Sequence, residues 1–138
     1  MDTRHRLELS KNKFNRAEDK LIELKSIHYY HVLIESAYYA MYYSISALLA
    51  LDGFDSSKHA AVISYFKNGY IRTKIFDKNL FELIACAYEM KTRAFYEDFY
   101  NASFEDVKIQ IDNAKIFLDI IRPYLENCWA EIENKLCR

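Results

Sequence analysis

The chain has 138 residues, 51% of them hydrophobic and 16% aromatic, with two glycines, one proline and a formal net charge of −1. Such a length buries a real core without disulfides or a metal, and the scarcity of turn formers argues against a sheet-rich fold and for long helices on short connections. A near-neutral balance excludes a global field that would drive non-specific attachment to nucleic acid or an acidic membrane, so any phosphate contact must be local. Three cysteines, Cys86, Cys128 and Cys137, share no CxxC or Cys/His ligand spacing. With no signal peptide at the start, they point to a reduced, cytoplasmic chain. No run reaches the ~20 apolar residues of a membrane span, so a soluble protein is expected.

In chain order, the first predicted helix covers about 6–26, with Leu7, Phe14, Ala17, Leu21 and Leu24 as its apolar stripe. The second covers about 29–51. Its line Ile34, Tyr38, Met41, Ile45, Leu48 steps by four and three, and the small line Ala37, Ala40, Ser44, Ala47, Leu51 runs about 100° away. A helix apolar on adjacent faces belongs in the middle of a bundle, and the small line invites close approach of another backbone. Asp52-Gly53 stops it. Ser56 or Ser57 is placed to cap a short third helix over about 58–66, ending at Asn68-Gly69, with 70–76 as a connection holding one turn at most. Asp77 should cap a fourth helix over about 78–97, with core positions Leu80, Ile84, Ala87 and Ala94. Ser103 and Asp106 resemble a capping box that opens the last helix. Its apolar line, Val107 to Leu136, keeps phase across Pro123, which should kink or divide it. The expectation is an all-α fold and one domain over 1–138, with its core at about 6–122 and a helical extension over 123–138. It is an up-and-down four-helix bundle with an additional short helix between helices two and four.

Candidate chemistry is sparse. His28 and His31, three residues apart, lack a committed carboxylate partner, and the Glu-x-x-His pairs of di-iron bundles are absent, so no metal and no cofactor is expected. Gly-rich phosphate loops, Gly-x-Ser-x-Gly elbows and His-Glu-x-x-His pairs are missing too. The fourth helix is more specific. Its core stripe runs on into Lys91, Ala94 and Asp98, with Arg93, Glu97 and Tyr100 as a second polar row and Tyr96 close by. Charges in the buried phase either emerge where a helix leaves the core or line a cleft or interface. In the second case basic groups among tyrosines suit a phosphate and a stacked base, as single-stranded RNA requires.

The run Ala37-Tyr-Tyr-Ala-Met41, then Ala47-Leu-Leu, Gly53, Lys58-His59 and Lys91-x-x-Ala-x-Tyr96-x-Asp98-Phe99, resembles the small stand-alone prokaryotic group of HEPN-domain proteins over about 10–122. The resemblance implies a helical bundle that usually forms homodimers and is often encoded beside a minimal nucleotidyltransferase, as a toxin–antitoxin-like pair. In active relatives an Arg-x4-6-His motif near the end of the corresponding helix cleaves RNA without a metal. The Arg holds the scissile phosphate and the His moves protons. Here Arg93, Asp98 and Tyr100 take the Arg-x4-His-x-Tyr spacing with Asp in place of His, and Tyr100 falls where the partner enzyme modifies relatives. In the alternative register Lys91 replaces an Arg and Phe95 an Asp, and Ser36 stands where relatives carry Arg. Asp is a poorer proton shuttle than His near neutral pH.

Three readings follow. One is a dimeric HEPN protein that works with a minimal nucleotidyltransferase and binds RNA or nucleotide through Lys91, Tyr96, Tyr100 and His59. The second is an active endoribonuclease using Arg93 with Asp98, or with His59 brought in from the third helix. The last is a helical interaction module without catalysis. The first two place Lys91, Arg93, Tyr96 and Asp98 beside a groove at a two-fold interface that includes part of the second or fourth helix.

Overall fold

The computed structural model describes residues 1–24, 29–96 and 102–137. It contains α1 (Thr3–Glu23), α2 (Tyr30–Leu51), α3 (His59–Phe66), a π-helical turn (Lys67–Ile71), α4 (Lys78–Tyr96) and α5 (Phe104–Leu136). The all-helical expectation holds, with the short helix where it was placed between the second and fourth long ones. Among the described residues, no helix is long and apolar enough to cross a membrane.

α2 touches α1, α3, α4 and α5, and is the centre of the bundle. From Leu33 to Ala50 every residue is buried except Glu35, Tyr39 and Tyr43, one narrow stripe at a spacing of four. Both lines read in the sequence are inside, with Leu51 half-buried at the end of the small one. The small one serves as foreseen: α1 comes close enough for buried Ser10 to donate its hydroxyl hydrogen to the Ala47 carbonyl at 2.7 Å. Around this axis Phe14, Phe66, Phe117, Leu118, Ile121 and Leu125 close one core, each side chain contributing about 1.5–3 kcal/mol by leaving water.

The caps explain most boundaries. Asp2 accepts from the His5 backbone N–H at 2.7 Å, so α1 begins at Thr3, three residues before the expected start. α2 ends in a Schellman motif, with Gly53 at φ 77° and bonds from Gly53 N–H to the Ala50 carbonyl and from Phe54 N–H to the Leu49 carbonyl. Asp77 accepts from the Asn79 N–H at 2.8 Å, and Ser103 and Asp106 form the reciprocal capping box.

Three expectations give way. The cap of α3 is Lys58, while Ser56 accepts from the Lys58 N–H just outside the helix. Asn68-Gly69 does not stop the chain there, because the helix widens into the π turn, closed by Arg72 N–H to the Lys67 carbonyl at 2.9 Å. The reversal falls later, at Lys74 with φ 64°. The turn aims Tyr70 inward, where its hydroxyl donates to Asp52 Oδ2 at 2.8 Å and ties this corner to the end of α2. Pro123 leaves α5 undivided. The proline is on the exposed face, and Leu125 and Trp129 beyond it still pack on the core.

Candidate functional site

α3 and α4 both lean on α2 but do not pack against each other. The tyrosines of α2 fill the space at the top of the gap between them. Tyr38 and Tyr42, one helical turn apart, stack at 5.9 Å between ring centroids, and the His59 ring of α3 lies on Tyr42 at 4.2 Å. From α4, Lys91 extends its ammonium over three rings: 5.2 Å from the centre of Tyr38, 5.5 Å from Tyr39 and 5.9 Å from Tyr88. Each such contact is worth about 0.5–2 kcal/mol, more as water is excluded. Among the described residues no carboxylate pairs with this ammonium. The sequence pattern that carried Lys91 in phase with Leu80, Ile84 and Ala87 therefore delivers a half-buried cation to an aromatic wall.

His59 is held electrically as well as sterically. Burial, and then the Lys91 charge, hold its imidazolium pKa below the ordinary value. Tyr38 is fully buried and burial, with neighbouring tyrosines, pushes its pKa upward, so it keeps its proton. The same burial pushes Tyr42 up to about 12. The Tyr38 hydroxyl lies 3.1 Å from His59 Nδ1. A buried hydroxyl needs an acceptor for its proton, which makes Nδ1 the acceptor and leaves the hydrogen of the neutral ring on Nε2. Lys91 and His59 thus offer donors and positive potential, with the imidazole lone pair already engaged.

The other expected site residues fare differently. Arg93, half-buried in the last turn of α4, is about 200° around the helix from Lys91, so α4 alone does not aim both at one anion. Asp98, Tyr100 and His28 lie outside the described residues, as does the side chain of Tyr96. Ser36 is buried and lines a small polar pocket with Lys20, Glu23, Glu35 and Tyr39. Among the described residues no group of three or more His, Cys, Asp or Glu gathers around a possible metal. Sequence reading took Tyr38 for a core position and assigned none of Tyr38, Tyr39, Tyr42 and Tyr88 to the site. Their signal was the tyrosine pair at i, i+4 opposite a lysine that keeps the buried phase.

Fold and site together define a small helical bundle with a cationic aromatic site between its third and fourth helices. The sequence model of the HEPN domain matches residues 3–124, and the chain belongs to the HEPN domain family. It is similar to a protein of Methanocaldococcus jannaschii named "Putative toxin MJ0142", at 28% identity over 131 residues, 87% of this chain and 89% of the relative. A Thermotoga maritima "UPF0332 protein" is 31% identical over 97 residues, 70% of this chain and 74% of the relative.

Proposed function

We propose that this chain is a toxin-like HEPN protein that binds single-stranded RNA or a nucleotide through Lys91 and His59, as a homodimer working with a minimal nucleotidyltransferase. The observation that carries the reading is the meeting of Lys91 and His59, from two separate helices, over a wall of tyrosines. A phosphate suits an ammonium and an Nε2–H, and tyrosine faces suit an unstacked base. The similarity to a protein named as a toxin supports the toxin-like part, and HEPN proteins of this small kind are often encoded beside a minimal nucleotidyltransferase. With the His59 lone pair occupied by Tyr38, the site is built for holding more than for proton transfer.

The outer face of α5 fits a second copy of the chain. Ile109, Ile116 and Ile120 are exposed on one stripe, and Lys108, Asp112, Lys115 and Asp119 flank it on one side. When two copies of a helix lie antiparallel about a two-fold axis, like flanks meet. Centred between Asn113 and Ala114, Lys108 then faces the Asp119 position of the second copy and Asp112 faces its Lys115.

The test is binding of a short single-stranded RNA to the purified chain. Lys91→Ala and His59→Gln should each weaken it about tenfold, since charge-assisted contacts are the strong ones, while thermal stability shows both variants folded. Unchanged affinity in Lys91→Ala would remove the reading. Cleavage of total RNA in the presence of EDTA that vanishes in Arg93→Ala would assign the chain instead to the endoribonucleases, with Arg93 and Asp98 as the catalytic pair.

A further inference from the structure

Below the Lys91–His59 pair the gap between α3 and α4 opens as a cleft of about 450 Å³. It is lined from α3 by His59, Ala60, Ile63 and Ser64, and from α4 by Phe81, Ala85 and Tyr88, with Lys67 at its far end. Ala60, Ser64 and Ala85 are small, so the two helices leave space where larger side chains would meet. Phe81, Ala85 and Tyr88 follow one face of α4, and from Phe81 to Tyr88 the cleft runs about 10 Å at 1.5 Å per residue. Lys67 begins the π turn and places its ammonium 5.2 Å from the centre of the Phe81 ring. Single π turns are rare and recur at functional sites. Among the described residues, no lining residue is acidic.

The occupant these walls select has an apolar face, accepting atoms at one edge and an anion at the other. The apolar face meets Phe81, Ile63 and Ala85, and the accepting edge meets Lys67, which has three donors and no acceptor, and the Ser64 hydroxyl. The anion falls to Lys91 and His59, since His59 and Tyr88 are walls of both the cleft and the cation site. We infer that the cleft is a guanine subsite: it takes the base of a nucleotide whose phosphate is held by Lys91 and His59, with Lys67 at the O6/N7 edge. Guanine presents two acceptors on that edge, whereas adenine presents one beside a donor amino group that Lys67 repels. The inference rests on the nucleotide-binding reading and adds which base the site prefers.

The experiment is competition against a labelled short single-stranded RNA by GMP, AMP, CMP and inorganic pyrophosphate, using the whole chain. GMP should displace the RNA at about tenfold lower concentration than AMP or CMP, given the discrimination typical of such lysine–guanine contacts. Lys67→Gln should bring the GMP and AMP values together while leaving pyrophosphate unchanged. Ala85→Phe fills the cleft from an exposed helical position. It should weaken GMP about tenfold or more, again sparing pyrophosphate. Equal competition by all three nucleotides, or an Ala85→Phe chain that binds GMP as before, overturns the guanine subsite while pyrophosphate competition keeps the phosphate site. A chain that binds neither pyrophosphate nor nucleotide loses both. Circular dichroism of each variant separates lost binding from lost fold.

Discussion

At the scale of residues, His59 links folding to pH, and the proposed site would link binding to it as well. Its imidazole sits on Tyr42, accepts from Tyr38 and feels Lys91, so the folded chain resists protonating it. As pH falls, the unfolded chain takes up this proton first, near the ordinary histidine value of about 6.5. The stability His59 contributes is therefore complete above that pH and is lost as pH falls through the lowered folded value. An anion beside Lys91 offsets the lysine field and favours the imidazolium, so binding should draw in a proton. Two effects of acidification from pH 7.5 to 5.5 follow. The melting temperature should fall more in the wild type than in His59→Gln, and affinity for a short RNA, whose phosphodiesters do not titrate here, should rise only in the wild type. Parallel pH profiles for the two proteins, read by thermal unfolding and by anisotropy, would refute the coupling.

At the scale of elements, periodicity made the long helices legible because the apolar lines of α2, α4 and α5 keep one phase against the core, even where α5 is only half-buried at Ile111, Cys128 and Ile132. Local signals were less reliable where tertiary contacts outweighed them. Asn68-Gly69 reads as a stop, yet Tyr70 gains the Asp52 carboxylate and the core by continuing into a π turn. Pro123 reads as a kink or a break, yet α5 runs on undivided, with the proline on its exposed face and Ile121 and Leu125 buried in the flanking turns. The same exposed face tests self-association. Lys108→Asp with Lys115→Asp, and separately Asp112→Lys with Asp119→Lys, should each leave a monomer, and mixing the two variants should restore a dimer by light scattering. Asp119 also pairs with Arg122 at 2.8 Å, an exposed contact worth at most about 1 kcal/mol, so its loss does not threaten the fold. If both variants dimerise alone, α5 is not the contact.

At the scale of the whole molecule, the bundle was more legible in the sequence than the site. Periodicity tells which face of a helix is apolar but not which faces of separate helices meet. Lys91 and His59 could be chosen from their surroundings, whereas Tyr38 and Tyr42 looked like core bulk until α3 and α4 were set against them. Ser10 shows the same limit, since nothing in α1 marks a serine in the buried stripe as a junction. It donates to the Ala47 carbonyl of α2 and accepts from Trp129 Nε1 of α5 at 2.9 Å, joining three helices. Ser10→Ala leaves both partners short and should cost about 1–3 kcal/mol in denaturant unfolding. A change of only a few tenths would mean that the junction is incidental.

That junction also gives the protein an optical signature. Trp129 is the single tryptophan, its ring edge-on to Phe14 and within 5.9 Å of the Lys11 ammonium. Tryptophan emission, excited where tyrosine does not absorb, therefore reports one event, the seating of the C-terminal half of α5 on α1. The tyrosine-walled cleft lies with other helices, between α3 and α4. Detachment of that half would shift the emission to the red and open the indole to quenchers before the rest of the bundle melts, so fraying and global unfolding can be told apart without any label.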